Sequence, residues 1–244
     1  MIAGGLSYTL TELGELPALP RYSSGFRALD DLTGGGLVPG AVWTVAGPPG
    51  IGVTTLVTEL AVHAAATVRV ALANEHIATH QMRDLLLSIA AVIGLHRDAV
   101  GRIEVASWIP LPDPGCDDET WFGAGYDVLI IDCYDEMLRP RAWPTGLTAL
   151  RAARWLRELA RRTNTAVVLT ARADRPAMVG RPAFEESWHG HWVRPLFDDV
   201  AGLRLELSMG KNGVSSFHAT ARGVGQAAGV AFRRGDGTTG LQRA

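Results

Sequence analysis

The chain has 244 residues, 47% of them hydrophobic and 20% charged, with a formal net charge of −2. That length fits one large or two small domains of ordinary soluble composition, and the charge supplies no global basic field for nucleic acid, so any such contact has to be local. Two cysteines, Cys116 and Cys133, make neither a disulfide framework nor a zinc site, no apolar run reaches the ~18 residues of a membrane span, and the N-terminus lacks a signal-like charged region and apolar core, so a reducing cytoplasm is expected.

Residues 1–22 are rich in Gly, Leu and Pro and weakly patterned, and read as a linker or arm; 23–244 read as the domain. Ser24 is expected to cap a short helix over FRALDDLT, which GGG then breaks. AVWTVAG (41–47) is predicted as a strand, 53–66 as a helix and VRVALAN (68–74) as a strand. A helix over 77–94 carries apolar Ile77, Met82, Leu85, Leu86 and Ile89, and IEVASW (103–108) follows as a strand. DVLIID (127–132) is a near-continuous apolar run, the signature of a central parallel strand. Residues 147–162 form an amphipathic helix with Leu150, Ala153, Trp155, Leu156 and Leu159 on its apolar side, and AVVLTA (166–171) is another strand. From 202 onward the pattern is β: LRLELSM, FHATAR and GVAFRR, separated by Gly-rich turns. Strands alternating with helices predict an α/β fold with a mostly parallel sheet flanked by helices, which the C-terminal β segments extend antiparallel. Two Pro- and Gly-rich gaps, 109–126 and 172–195, are longer than simple connections need, and loops of that length are usually functional or disordered.

The segment GPPGIGVTT, residues 47 to 55, matches the phosphate-loop pattern G-x-x-x-x-G-K-[ST] at Gly47, Gly52 and Thr54, but places Val53 where the lysine belongs. A buried strand before it and a helix after it give the context that separates a phosphate loop from a chance match. The residues Gly47, Pro48, Pro49, Gly50, Ile51, Gly52, Val53, Thr54 and Thr55 are therefore the expected nucleotide-binding set. Backbone N–H groups and the helix N-terminus meet the phosphates, and the Thr54 hydroxyl is placed to hold Mg²⁺. The only lysine in the chain is Lys211. Loss of the loop lysine removes a charge-assisted contact of about 1.5–3 kcal/mol; binding on backbone amides survives, and fast hydrolysis is not expected. His76 and His80, four residues apart, read as a pair on a helix surface rather than a metal site.

The run SGFRALDDLTGGGLVPGAVWTVAGPPGIGVTT resembles the start of the RecA-like motor domain of DnaB-type replicative helicases, where a "GF..LD.LTGG..PG" lead-in precedes the phosphate loop. VALANEHIATHQMRDLLLSIA resembles the strand and helix carrying that family's catalytic glutamate, which maps to Glu75, and DVLIIDCYDEM resembles the Walker B strand, whose metal-holding aspartate maps to Asp132. The likeness runs from about residue 23 to 235, with the family's sensor glutamine falling on Arg172 and its basic finger on Arg222. It implies ATP and Mg²⁺ bound between subunits of a homo-oligomer, a hexameric ring in the family, and single-stranded DNA in the pore. Arg139 and Arg141 in one loop, and Arg175 and Arg181 in another, would track that strand. Two readings stay open. One is a ring-forming replication motor with weak or lost hydrolysis. The other is a non-catalytic RecA-fold module that assembles with a helicase or replication initiator as loader or regulator. Whether the chain is an enzyme turns on Val53.

Overall fold

The structure, a computed structural model, describes residues 20–107, 125–133, 146–172, 202–209, 214–221, 225–234 and 241–243. Its strands are β1 (Val42–Gly47), β2 (Val70–Asn74), β3 (Ile103–Ala106), β4 (Val128–Asp132), β5 (Ala166–Arg172), β6 (Leu203–Met209), β7 (Val214–Ala221), β8 (Gly225–Arg234) and β9 (Leu241–Arg243). Its helices are α1 (Arg27–Thr33), α2 (Val53–Ala65), α3 (Thr79–Ile93), α4 (Arg97–Val100) and α5 (Gly146–Thr163). The described strands form one sheet in the order β3-β2-β4-β5-β1-β6-β7-β8-β9.

The first six strands in that order run parallel. The predicted antiparallel extension is present, but it starts one strand later than expected. β6 joins β1 in parallel, with Trp43 opposite Leu203, and only β7, β8 and β9 run antiparallel. Every residue of β1, β2 and β4 is buried, which is why these segments read as unbroken apolar runs instead of alternating ones. Two short elements, α4 and β9, have no counterpart in the expectation, because four and three residues carry too little period to detect.

Helix α2 is the buried helix of the fold: nine of its residues, including Leu56, Leu60 and Val62, are buried, and it packs against α3 and the parallel strands. α3 turns Met82, Leu86, Ile89 and Ala90 to the core and stops at Gly94, whose φ of 74° is the left-handed geometry glycine allows. In α5, Leu156, Leu159 and Ala160 are buried; the side chains of its first turns lie outside the described residues. α1 ends at Gly34 as the GGG signal implies, but Ser24 is not its N-cap. The helix begins one residue later, at Arg27 behind Phe26, and Ser24 instead donates its hydroxyl to Asp30 Oδ1 at 2.5 Å while its backbone N–H bonds the same carboxylate at 2.9 Å. Tyr22 exchanges two backbone hydrogen bonds with Leu37, at 3.0 and 2.7 Å, and so ties the lead-in to the domain. Among the described residues no helix is long and apolar enough to cross a membrane.

At the N-terminal ends of the strands, away from the phosphate loop, Tyr126 is buried with its hydroxyl donating to Glu104 and the Arg69 guanidinium 5.0 Å from its ring centroid. Burial first, and then the Glu104 carboxylate, push the phenol up to about 12 from its ordinary 10.0, against the opposing pull of Arg69. A phenol raised on folding contributes stability that is complete below pH 10.0 and is lost as pH climbs through about 12. Tyr126→Phe is therefore expected to flatten the alkaline loss of stability across that window, read by urea unfolding at stepped pH. Parallel pH profiles for the two proteins would show that the phenol plays no such part.

Candidate functional site

The parallel register brings the site residues together at the C-terminal ends of β1, β2, β4 and β5, where open α/β sheets bind their ligands. Asn74 and Asp132 are direct partners across β2 and β4. Asp132 lies one step beyond the Ile131–Leu169 pair, so Thr170 of β5 is its other neighbour. Gly47 ends β1 opposite Arg172.

Asp132 is fully buried and its carboxylate is bonded on both oxygens. Thr54 Oγ1 donates to Oδ2 at 2.8 Å, Asn74 Nδ2 donates to Oδ2 at 2.6 Å, and Thr170 Oγ1 donates to Oδ1 at 2.5 Å. Three donors from three different elements thus meet one carboxylate and satisfy its oxygens out of water. The network continues outward. The Cys133 N–H donates to Thr170 Oγ1 at 2.7 Å, with Cys133 at φ 61°, a left-handed conformation rare outside glycine. Asn74 Oδ1 accepts the N–H groups of His76 and Ile77 at 2.8 and 2.7 Å, folding the chain after β2 into a tight turn.

A cavity of about 320 Å³ opens above this network. Of the expected loop residues, Gly47, Pro48, Pro49, Gly50, Gly52, Val53, Thr54 and Thr55 line it. Ile51 does not; it turns inward and is 3% exposed within the hydrophobic core. Asn74, His76 and Ile77 close a second side, and Asp132, Cys133, Thr170 and Ala171 a third. The loop fits phosphates on two counts. Gly50 and Gly52 hold φ of 79° and 106°, and a Cβ built on Gly50 meets nothing within 4 Å, so the approach to the backbone there is open. Gly47 is glycine for the opposite reason: a Cβ would come within 2.7 Å of Ile51 Cγ2 and 3.0 Å of Val53 Cγ2. α2 begins behind Gly52 with no side-chain cap, which leaves its first N–H groups to a ligand and the Thr54 hydroxyl to Asp132. Thr54 and Asp132, 2.8 Å apart, are the pair that would hold Mg²⁺.

The other predicted residues divide sharply. Val53 is half-buried against the core, where a lysine would instead extend to phosphate. Glu75 follows β2 but is exposed and does not line the cavity. Arg172 is placed by its backbone beside Gly47, with its side chain outside the described residues. Arg139, Arg141, Arg175, Arg181 and Arg222 all lie outside the described residues. Sequence reasoning missed Asn74 and Thr170. The signal available was a polar residue at the C-terminal end of each apolar strand, next to the strand that ends in Asp132.

No family model matches the chain. Over 58 residues, 23% of its length, it is 47% identical to the DNA repair protein RadA of Brucella abortus (strain 2308), a stretch that makes up 12% of that protein. Over 52 residues, 21% of the chain, it is 46% identical to the RadA of Haemophilus influenzae, covering 11% of it. The chain thus spans only about a tenth of the curated relatives it matches. The crystal structure of the RadB recombinase superposes with a TM-score of 0.56 at 20% identity, over 87% of this chain and 95% of that one. The fold is therefore the RecA-like recombinase fold. Neither likeness supports the finer resemblance to DnaB-type helicases.

Asn74→Ala should cost about 1–3 kcal/mol in urea unfolding, because it leaves a buried carboxylate short of a donor and two turn amides without their acceptor. A change within experimental scatter would mean that the network carries no stability. Gly47→Ala should cost a similar amount, about 1–3 kcal/mol, through overpacking. Wild-type stability in that variant would show that the loop yields where the packing says it cannot.

Proposed function

We propose that this chain is a nucleotide-binding module of RecA-like fold that serves in DNA transactions and holds ATP with Mg²⁺ while turning it over slowly or not at all. The observation that carries this reading is the coexistence of an open glycine cradle, a Thr54–Asp132 pair at 2.8 Å and an apolar Val53 in the position of the loop lysine. The first two features bind phosphate and a divalent cation. The third withholds the charge that develops a fast transition state; losing one such preorganised donor lowers a rate by about 10²–10³. Mg²⁺, when bound, would neutralise phosphate charge; this chain's own part is to position the phosphates on loop amides and hold the ion between Thr54 and Asp132.

The DNA role rests on the local identity to proteins named for DNA repair and on the fold shared with a recombinase. The exposed position of Glu75, off the cavity wall, favours a binding module over a motor. Homo-oligomerisation and single-stranded DNA contact through Arg139, Arg141, Arg175 and Arg181 belong to the same reading as its finer parts, as does a phosphate-directed role for Arg172 or Arg222. The ring-forming replication motor is the narrower alternative, and it requires Glu75 to reach the nucleotide.

Calorimetry with Mg²⁺–ATP is expected to register binding, and phosphate release to remain far below the ~10 s⁻¹ of a typical enzyme, with or without single-stranded DNA. Val53→Lys should tighten nucleotide binding about tenfold or more, the worth of one charged contact. Robust turnover abolished by Glu75→Gln would establish the motor instead. Unchanged affinity in the lysine variant would mean that the loop is no phosphate cradle.

A further inference from the structure

The cavity has a charge problem that its own wall resolves. Asp132 contributes a negative charge, and the residues lining the cavity from the loop and from α2 contribute none of either sign. A nucleoside triphosphate would bring several more negative charges to the same space. Among the described residues on the wall, His76 is the one whose side chain can carry a positive charge. It belongs to the turn after β2, and its backbone N–H is fixed at 2.8 Å on Asn74 Oδ1. The same Asn74 side chain donates to Asp132 at 2.6 Å, so the residue that holds His76 is also bonded to the carboxylate proposed for Mg²⁺.

We propose that His76 is the phosphate-contacting side chain of this site and supplies the donor that Val53 withholds. The inference rests on the nucleotide reading above and names the residue that completes it. An imidazole suits the task in either protonation state: neutral, it donates one N–H; protonated, it donates two and carries charge. His76 is itself exposed, and the described ionisable groups near it are few. Asp132 on β4 is engaged by Thr54, Asn74 and Thr170. Glu75 precedes it and His80 follows on α3, both exposed and neither on the cavity wall.

The test is calorimetry of the full chain with Mg²⁺–ATP and Mg²⁺–ADP, for wild type, His76→Ala, His76→Arg, Val53→Lys and the Val53→Lys/His76→Ala double variant. Loss of one hydrogen bond to a charged group predicts a weakening of ATP binding on the order of tenfold to a hundredfold in His76→Ala. His76→Arg, which keeps a cation, should bind like the wild type. In the lysine background the alanine change should cost far less than alone, because the two residues serve one function. A positioning role through the turn would not produce that coupling. Equal ATP affinity in wild type and His76→Ala would overturn this inference and leave the nucleotide reading standing. So would a loss in His76→Arg as large as that in His76→Ala. Absence of any heat from the wild type would remove both.

Discussion

One buried anion organises this molecule's working end. Asp132 sits at the end of a fully buried strand, and a lone carboxylate there would be expelled or neutralised. It persists because Thr54, Asn74 and Thr170 each aim a donor at it from a different element. The same three side chains order the wall around it. Thr54 fixes the first turn of α2 against β4, Asn74 accepts from the turn after β2, and Thr170 accepts from the backbone at Cys133. Stability and site are one construction here, and a change to either is a change to both.

Against that frame, Val53 is a local exchange of charge for packing. The loop keeps the glycines that expose backbone amides, and it keeps the hydroxyl on the helix. What it gives up is a long cation, and the space near Gly47 is taken by a branched methyl instead. On the proposed reading, such a site keeps recognition of phosphate while the transition state loses its strongest partner, which separates binding from turnover.

Much of this was legible in the chain itself. Buried parallel strands announce themselves as unbroken apolar runs, and β1, β2, β4 and β5 fall where those runs lie. The strand–loop–helix context marked eight of the residues that line the cavity, and Asp132 followed from its place at a strand end. Long-range register was not legible. Nothing local says that Asn74 faces Asp132, or that β6 enters the sheet parallel to β1 before the direction reverses. The side chain of Ser24 was misjudged because its oxygen accepts from the Phe26 N–H, ahead of the helix, while its hydroxyl donates to Asp30, six residues on. Ile51 was counted with the loop because spacing assigns a residue to a motif without saying which way it points.

The order of strands has a bearing on how the protein comes into being. β1 lies near the beginning of the domain, yet its two neighbours, β5 and β6, are drawn from residues 166–172 and 203–209. Leu207 itself stands 3.1 Å from where a Cβ on Gly47 would be. During synthesis the loop therefore emerges long before its walls, and it has no pocket to form until more than a hundred further residues have left the ribosome. Closure over such sequence separations is slow. A nascent chain must keep its most apolar segments soluble through that interval, so β5, which brings Thr170 and Ala171 to the wall, decides when the loop becomes competent to meet a ligand.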